Sequence, residues 1–355
     1  MNPLENQLQY PWGEQLPAFG SSLELQPGVR WVRMPLPFAL DHINLWLLRD
    51  QVDGREGWTI VDCGVARDDL RAYWEQVFAQ ELDGLPVLRV VVTHMHPDHV
   101  GLASWLCQRW QAPLVMTMSE YTTARLFSEG GVEGDVNGGD RAVDYFHQHG
   151  VADQDALEKI RARRSYYGSL VPSVPHQFDR ILDGSVLSIG GHDWTVMVGY
   201  GHAPEHASLY CPSRNLLISG DMVLPRISTN ISVHDFEPNG DPLAQYLASL
   251  ERYGPLPAST LVLPSHGRPF VGLHTRIAQQ REHHQARLDE VLAACVTPHS
   301  AADIVPIMFR RQLDLHQLTF AVGEALAHLQ YLQGRGLLQR QRDAAGVVRF
   351  VAVAH

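Results

Sequence analysis

The chain lacks the marks of a secreted, membrane-spanning or nucleic-acid-steered protein. Its four cysteines, Cys63, Cys107, Cys211 and Cys295, are scattered and form no Cys-x-x-Cys pair, the pattern of free thiols in a reducing cytoplasm. Residues Met1 to Gln7 show no basic stretch followed by an apolar one, so no signal peptide is expected. No apolar run approaches the about 20 residues of a transmembrane helix. Positive charge is in deficit, with 28 Lys and Arg against 39 Asp and Glu and a formal net charge of −11. A field of that sign does not draw a chain to nucleic acid. What remains is ordinary for a soluble cytoplasmic enzyme. Apolar residues make up 45%, enough for a large core, and 355 residues suggest two domains.

Against that background one segment stands out. His94-Met95-His96-Pro97-Asp98-His99 follows the apolar run Val90-Val91-Val92. Three imidazoles and a carboxylate in six positions cannot share one face of a helix or strand, but they fit a loop that leaves a strand end and wraps around metal. Neutral imidazole and carboxylate suit zinc and its neighbours. The spacing allows two ions, with His94 and His96 turned to one and Asp98 and His99 to the other. Two metals imply hydrolysis by a bridging hydroxide. Further ligand candidates follow short β-type runs beside Gly or Pro: His202 after Val198–Gly201, Asp221 after Leu216–Gly220, and His266 after Leu261–Ser265.

This ordered set resembles the metallo-β-lactamase superfamily over residues 28–285. The resemblance implies an α/β fold, an αββα sandwich with strand-end ligands. It also implies that His94, His96 and His202 hold a first metal, that Asp98, His99 and His266 hold a second, and that Asp221 bridges them. Zinc is the default ion, with iron or manganese as alternatives. Asp98 would also take up a proton from the attacking water, making it the catalytic candidate. Val61-Asp62-Cys63-Gly64 resembles the family's Asp-Thr-Gly turn, with Cys63 in place of Thr, and there Asp62 would orient a ligand His. His206 resembles a supporting or substrate-facing His of the glyoxalase II branch.

The remaining organisation is read from periodicity. Residues 1–27 form a polar extension and 28–285 the catalytic domain. Residues 119–180 interrupt it as a helical lid insertion, with helices expected over 120–127, 141–149 and 153–167. The basic and aromatic end of that insertion makes Arg164, Tyr166 and Tyr167 candidate substrate contacts, along with Arg226 in the loop after Asp221, because guanidinium pairs with phosphate or carboxylate. Residues 286–355 read as helices and a hairpin resembling a winged helix. Ser300 is a candidate N-cap, and the long helix that follows carries few basic residues. Packing or homodimer formation is therefore expected of this module rather than nucleic-acid binding.

The expected substrate is a small molecule, a thioester or ester of an acyl or coenzyme-linked compound. Alternatives are a phosphodiester or RNA, a lactone, or a non-catalytic metal-dependent nucleic-acid-binding regulator.

Overall fold

The computed structural model describes residues 3–38, 40–128, 138–163 and 166–353. Among them, seven strands form the first sheet in sequential order: β1 (Ser22–Gln26), β2 (Val29–Pro35), β3 (His42–Val52), β4 (Arg55–Val61), β5 (Val87–Val91), β6 (Leu114–Met116) and β7 (Asp179–Arg180). It is antiparallel from β1 to β4 and parallel from β4 to β7. The second sheet comprises β8 (Val186–Ile189), β9 (His192–Gly199), β10 (His206–Cys211), β11 (Leu216–Gly220), β12 (Leu261–Pro264) and β13 (Phe270–Val271).

The central strands of both sheets, β3 and β4 in the first and β11 and β12 in the second, are buried on two faces, which explains their near-continuous apolar runs. On β3, Trp46 and Leu48 enter the cluster between the sheets, while Leu45 and Leu47 enter the one under the outer helices. On β11, Ile218 faces inward and Leu217 outward. The two-residue side-chain period thus serves two cores at once. The helices over the first sheet are α1 (Asp68–Gln80), α2 (Pro97–Val100), α3 (Ala103–Trp110) and α4 (Met118–Ser128). Leu70, Trp74, Leu106 and Ala124 bring α1, α3 and α4 into its outer cluster.

The insertion supplies α5 (Gly139–Gln148), α6 (Gln154–Arg161) and α7 (Tyr166–Leu170). The single helix expected over 153–167 is two. Asp153 caps α6 by accepting from the Asp155 and Ala156 amides, and α6 ends at Arg161. Over the second sheet lie α8 (Pro242–Glu251), α9 (Leu273–Ala294), α10 (Ala301–Met308) and α11 (Leu315–Gly334), followed by the hairpin β14 (Leu338–Arg342) and β15 (Val348–Ala352).

Ser300 does cap α10, in a reciprocal pair with Asp303. The expected boundary at 285/286 falls inside α9, which is continuous over 22 residues. The reason is packing: Leu273 and Ile277 of α9, Val322 and Leu326 of α11 and Phe350 of the hairpin share one apolar cluster with Tyr246 of α8. The N-terminal extension is also built in. β1 pairs with β2, and Gln9 bridges to Val271 at the far edge of the other sheet.

Candidate metal centre

The candidate ligands sit where strands end. β5 runs out at Val91, and Val92, Thr93 and the histidine loop follow. His202 follows β9, Asp221 follows β11 and His266 follows β12. Tertiary structure joins these ends. The glycines of the Gly-His and Gly-Asp pairs have local causes. Gly201 lies at φ +96°, and a Cβ there would stand 2.2 Å from the Pro242 carbonyl at the start of α8. Gly220 lies at φ +53°, and its Cβ would stand 2.2 Å from His206 Nε2. Only glycine fits either position without displacement.

Three overlapping donor groups result: His94, His96 and His202; His94, His99 and Asp221; and Asp98, His99 and His266. His94 Nε2 is 2.9 Å from His96 Nδ1 and 3.3 Å from His202 Nε2. Asp98 Oδ2 is 3.4 Å from His266 Nε2 and 3.7 Å from His99 Nε2. Asp221 places Oδ2 3.4 Å from His202 Nε2, and Oδ1 3.6 Å and 3.5 Å from His99 and His266 Nε2. Donors around one tetrahedral zinc, at bonds of about 2.0–2.1 Å, stand about 3.3 Å apart. The cluster has that spacing. His99 Nε2 and Asp221 Oδ1 are buried without a hydrogen-bond partner, an arrangement that is costly unless a cation satisfies it. The residues fit a divalent metal.

The electrostatics agree. Burial lowers the His99 pKa, but Asp62, Asp98 and Asp221 outweigh it and carry it to about 10. Without metal, a proton on this ring supplies the cation the carboxylates require. Burial, with the neighbouring imidazoles, holds His94 and His96 well below the usual range, so they are neutral donors. Burial opposes ionisation of Asp221, yet His266 and His99 keep its pKa well below the ordinary carboxylate value.

Three of the candidate imidazoles, His99, His202 and His266, are held from behind through Nδ1, which fixes ring orientation. Asp62 accepts from His99 Nδ1 at 2.8 Å and from the Thr93 amide at 2.8 Å and hydroxyl at 2.9 Å. It does so from a left-handed backbone, φ +64°, tolerated best by Gly, Asn and Asp. Cys63 beside it is fully buried, and burial, then Asp62, pushes its thiol pKa up. His202 Nδ1 is held by the Asn230 carbonyl at 2.8 Å, and His266 Nδ1 by the His42 carbonyl at 2.8 Å. His206 lies behind Asp221. It is fully buried, and its Nε2 accepts the Asp221 amide at 3.0 Å. Burial takes its pKa down to about 3, so it stays a neutral acceptor.

The cluster opens on a cavity of about 520 Å³ whose lining includes His96, Asp98, His202, Asp221 and His266. Tyr166 and Tyr167 line it, and the Tyr167 hydroxyl donates to the Met95 carbonyl. Arg164 lies outside the described residues. Arg226 is not among the lining residues. Its side chain is exposed and lies 4.0 Å from Glu5, because the loop after Asp221 is pinned outward by Arg276, which donates to the Leu224 and Ile227 carbonyls.

Several residues here had no local signal. Glu120 on α4 accepts the Met95 amide at 2.8 Å and the Glu205 amide at 2.5 Å, tying the histidine loop to the His202 loop, and burial raises its pKa to about 7. Asn44 of β3 donates to the Pro264 and Gly267 carbonyls at 2.8 Å, fixing the His266 turn from the opposite sheet.

An αββα sandwich with His and Asp donors at its strand ends defines a class of metal-dependent hydrolases. The chain belongs to the metallo-beta-lactamase superfamily, which matches residues 39–266. Residues 288–353 match the family described as metallo-beta-lactamase-like, C-terminal domain. The chain is similar to the probable metallo-hydrolase YqjP of Bacillus subtilis, 25% identical over 313 residues that cover 85% of this chain and 91% of that protein. The crystal structure of a beta-lactamase domain protein from Burkholderia ambifaria is 55% identical, with a TM-score of 0.94 over 99% of this chain and 100% of that one. A metallo-beta-lactamase family protein from Thermus thermophilus is 28% identical, with a TM-score of 0.73 over 93% of this chain and 100% of that one. Among the described residues no helix is long and apolar enough to cross a membrane.

Proposed function

We propose that the chain is a dinuclear metal-dependent hydrolase of thioesters or esters of a small acyl or coenzyme-linked substrate. The observation that carries this reading is the opening of the donor cluster onto a cavity walled by Phe127, Phe146, Tyr166, Phe236 and Phe320, which suits an apolar acyl group better than a charged polymer. His94, His96 and His202 would hold one ion, and Asp98, His99 and His266 the other. Asp221 would serve both, since its two oxygens face different imidazoles. Divalent ions held there would acidify water and polarise the scissile carbonyl.

The chain's own residues do the rest. Asp98 lines the cavity with Oδ2 toward His266, and there it would orient the attacking water and accept its proton. Asp62, Asn230 and His42 hold the rings so that little reorganisation is needed. The aromatic walls exclude bulk water from the acyl group.

The test incubates metal-loaded protein, beside Asp98→Ala, with acyl-coenzyme A and acyl-glutathione thioesters and follows thiol release. Release by the wild type alone is expected. Equal release by Asp98→Ala refutes the role of Asp98, and silence across the panel refutes the thioester reading.

A further inference from the structure

Two walls of the cavity come from segments remote in sequence. One wall comes from the insertion and the other from the C-terminal module, through Phe309, Arg311, His316 and Phe320. They meet at His316, whose ring centroid is 5.6 Å from that of Phe38, 5.9 Å from Tyr166 and 4.9 Å from Phe320. Two guanidiniums flank this aromatic group. Arg163 lies 5.8 Å from the Tyr166 ring. Arg311 donates to Gln317 Oε1 at 3.0 Å.

We propose that Arg163 and Arg311 form a subsite for an oxyanion on the substrate, separated from the scissile bond by an apolar spacer. This inference rests on the hydrolase reading and names the substrate class it implies: an amphiphile with a charged remote end. Among the described residues, neither guanidinium has a carboxylate at ion-pairing distance, although the chain carries a net charge of −11. Asp314 acts on Arg163 through space, but its carboxylate accepts the Gln317 amide at 2.8 Å as the cap of α11. Arg163 is partly buried, and desolvation lowers its pKa. A cation that has lost water and gained no counter-ion is what an incoming anion relieves.

The other cavity carboxyls leave this end free. Asp235 pairs with Arg141 at 3.0 Å, and burial raises the Glu324 pKa to about 7. Neither guanidinium hydrogen-bonds to a candidate metal ligand, so the anion it holds is not the group under attack. The rings of Phe38, Tyr166 and Phe320 supply the apolar stretch.

Two placements of the anion share this chemistry: a carboxylate at the far end of the acyl chain, or the phosphates of a coenzyme leaving group. Calorimetry on the metal-loaded full chain separates them with matched probes. Dodecanedioate is compared with laurate, and desulfo-coenzyme A with desulfopantetheine. The member of one pair that carries the additional anionic group, dodecanedioate or desulfo-coenzyme A, is expected to bind about tenfold or more tightly, the worth of one charge-assisted contact. That preference should vanish in the Arg163→Ala/Arg311→Ala variant and persist in part in Arg311→Lys, each with wild-type metal content. The pair that responds identifies the source. Equal affinities within both pairs, or a preference unchanged in the double alanine variant, overturn the subsite. Binding does not require turnover. Thioester hydrolysis without an anion preference would sink the subsite alone, and an anion preference without hydrolysis would sink the thioester reading alone.

Discussion

Replacing Asp62 by Asn tests the claim that the cluster is tuned from behind. The residue is fully buried at φ +64°, a backbone that Asn tolerates and Ala does not, so the local fold should survive. One oxygen of Asp62 takes the Thr93 amide and the other takes His99 Nδ1, each at 2.8 Å. An Asn amide oxygen can serve only one of them. Turned to Thr93, it presents its NH₂ to the His99 N–H, donor against donor. One buried charge-assisted hydrogen bond is lost, about 1.5–3 kcal/mol, and His99 loses the partner that fixes its tautomer. The expected result is a ten- to hundredfold loss of metal affinity, about 1.4–2.7 kcal/mol. Competition with a chromophoric chelator at neutral pH measures it, with far-UV circular dichroism confirming the fold. Metal affinity within about twofold of the wild type would show that His99 is not oriented by Asp62.

Asp221→Ala removes the carboxylate shared between imidazoles, and metal analysis should find one ion or none per chain; two tightly held ions would contradict its bridging place. Gly220→Ala drives a Cβ to within 2.2 Å of His206 Nε2 at φ +53°, so a loss of about 2 kcal/mol or more is expected in urea unfolding, and an unchanged midpoint would refute the packing argument. Glu324, raised to about 7 by burial, is protonated in the fold at pH values where the unfolded chain has ionised. Its contribution is therefore fully present below about pH 4.5 and lost as pH rises towards about 7, by about 3 kcal/mol at most. Glu324→Gln should flatten that slope, and parallel stability curves for the two proteins would count against it.

Much of the centre was legible because ligand chemistry is local. The loop from His94 to His99 declares itself by density of donors after Val90-Val91-Val92, and His202, Asp221 and His266 by strand-like leads and adjacent glycines. The Ser300 cap and the hairpin of residues 338–352 were equally readable, since caps and turns are decided within a few residues. Partners brought from elsewhere were not. His42 and Asn230 act through their own carbonyls on distant imidazoles, Asn44 and Glu120 bind backbone groups of distant segments, and nothing in their own neighbourhoods distinguishes them. Arg226 has the chemistry of a substrate contact beside a ligand loop, but the loop is held by Arg276 and Arg226 is not among the residues that line the cavity.

The sequence by itself determined the donor set, the strand ends that carry it and the order of elements, because these follow from residue type and side-chain period. Tertiary structure alone decided where the cavity walls come from. A continuous α9 carries the C-terminal module onto the second sheet, and there Arg311, His316 and Phe320 meet the insertion at the cavity onto which the donor cluster opens. That juxtaposition depends on burial of apolar faces shared among α8, α9, α11 and the hairpin, a sum over many long-range contacts that no short window of sequence contains.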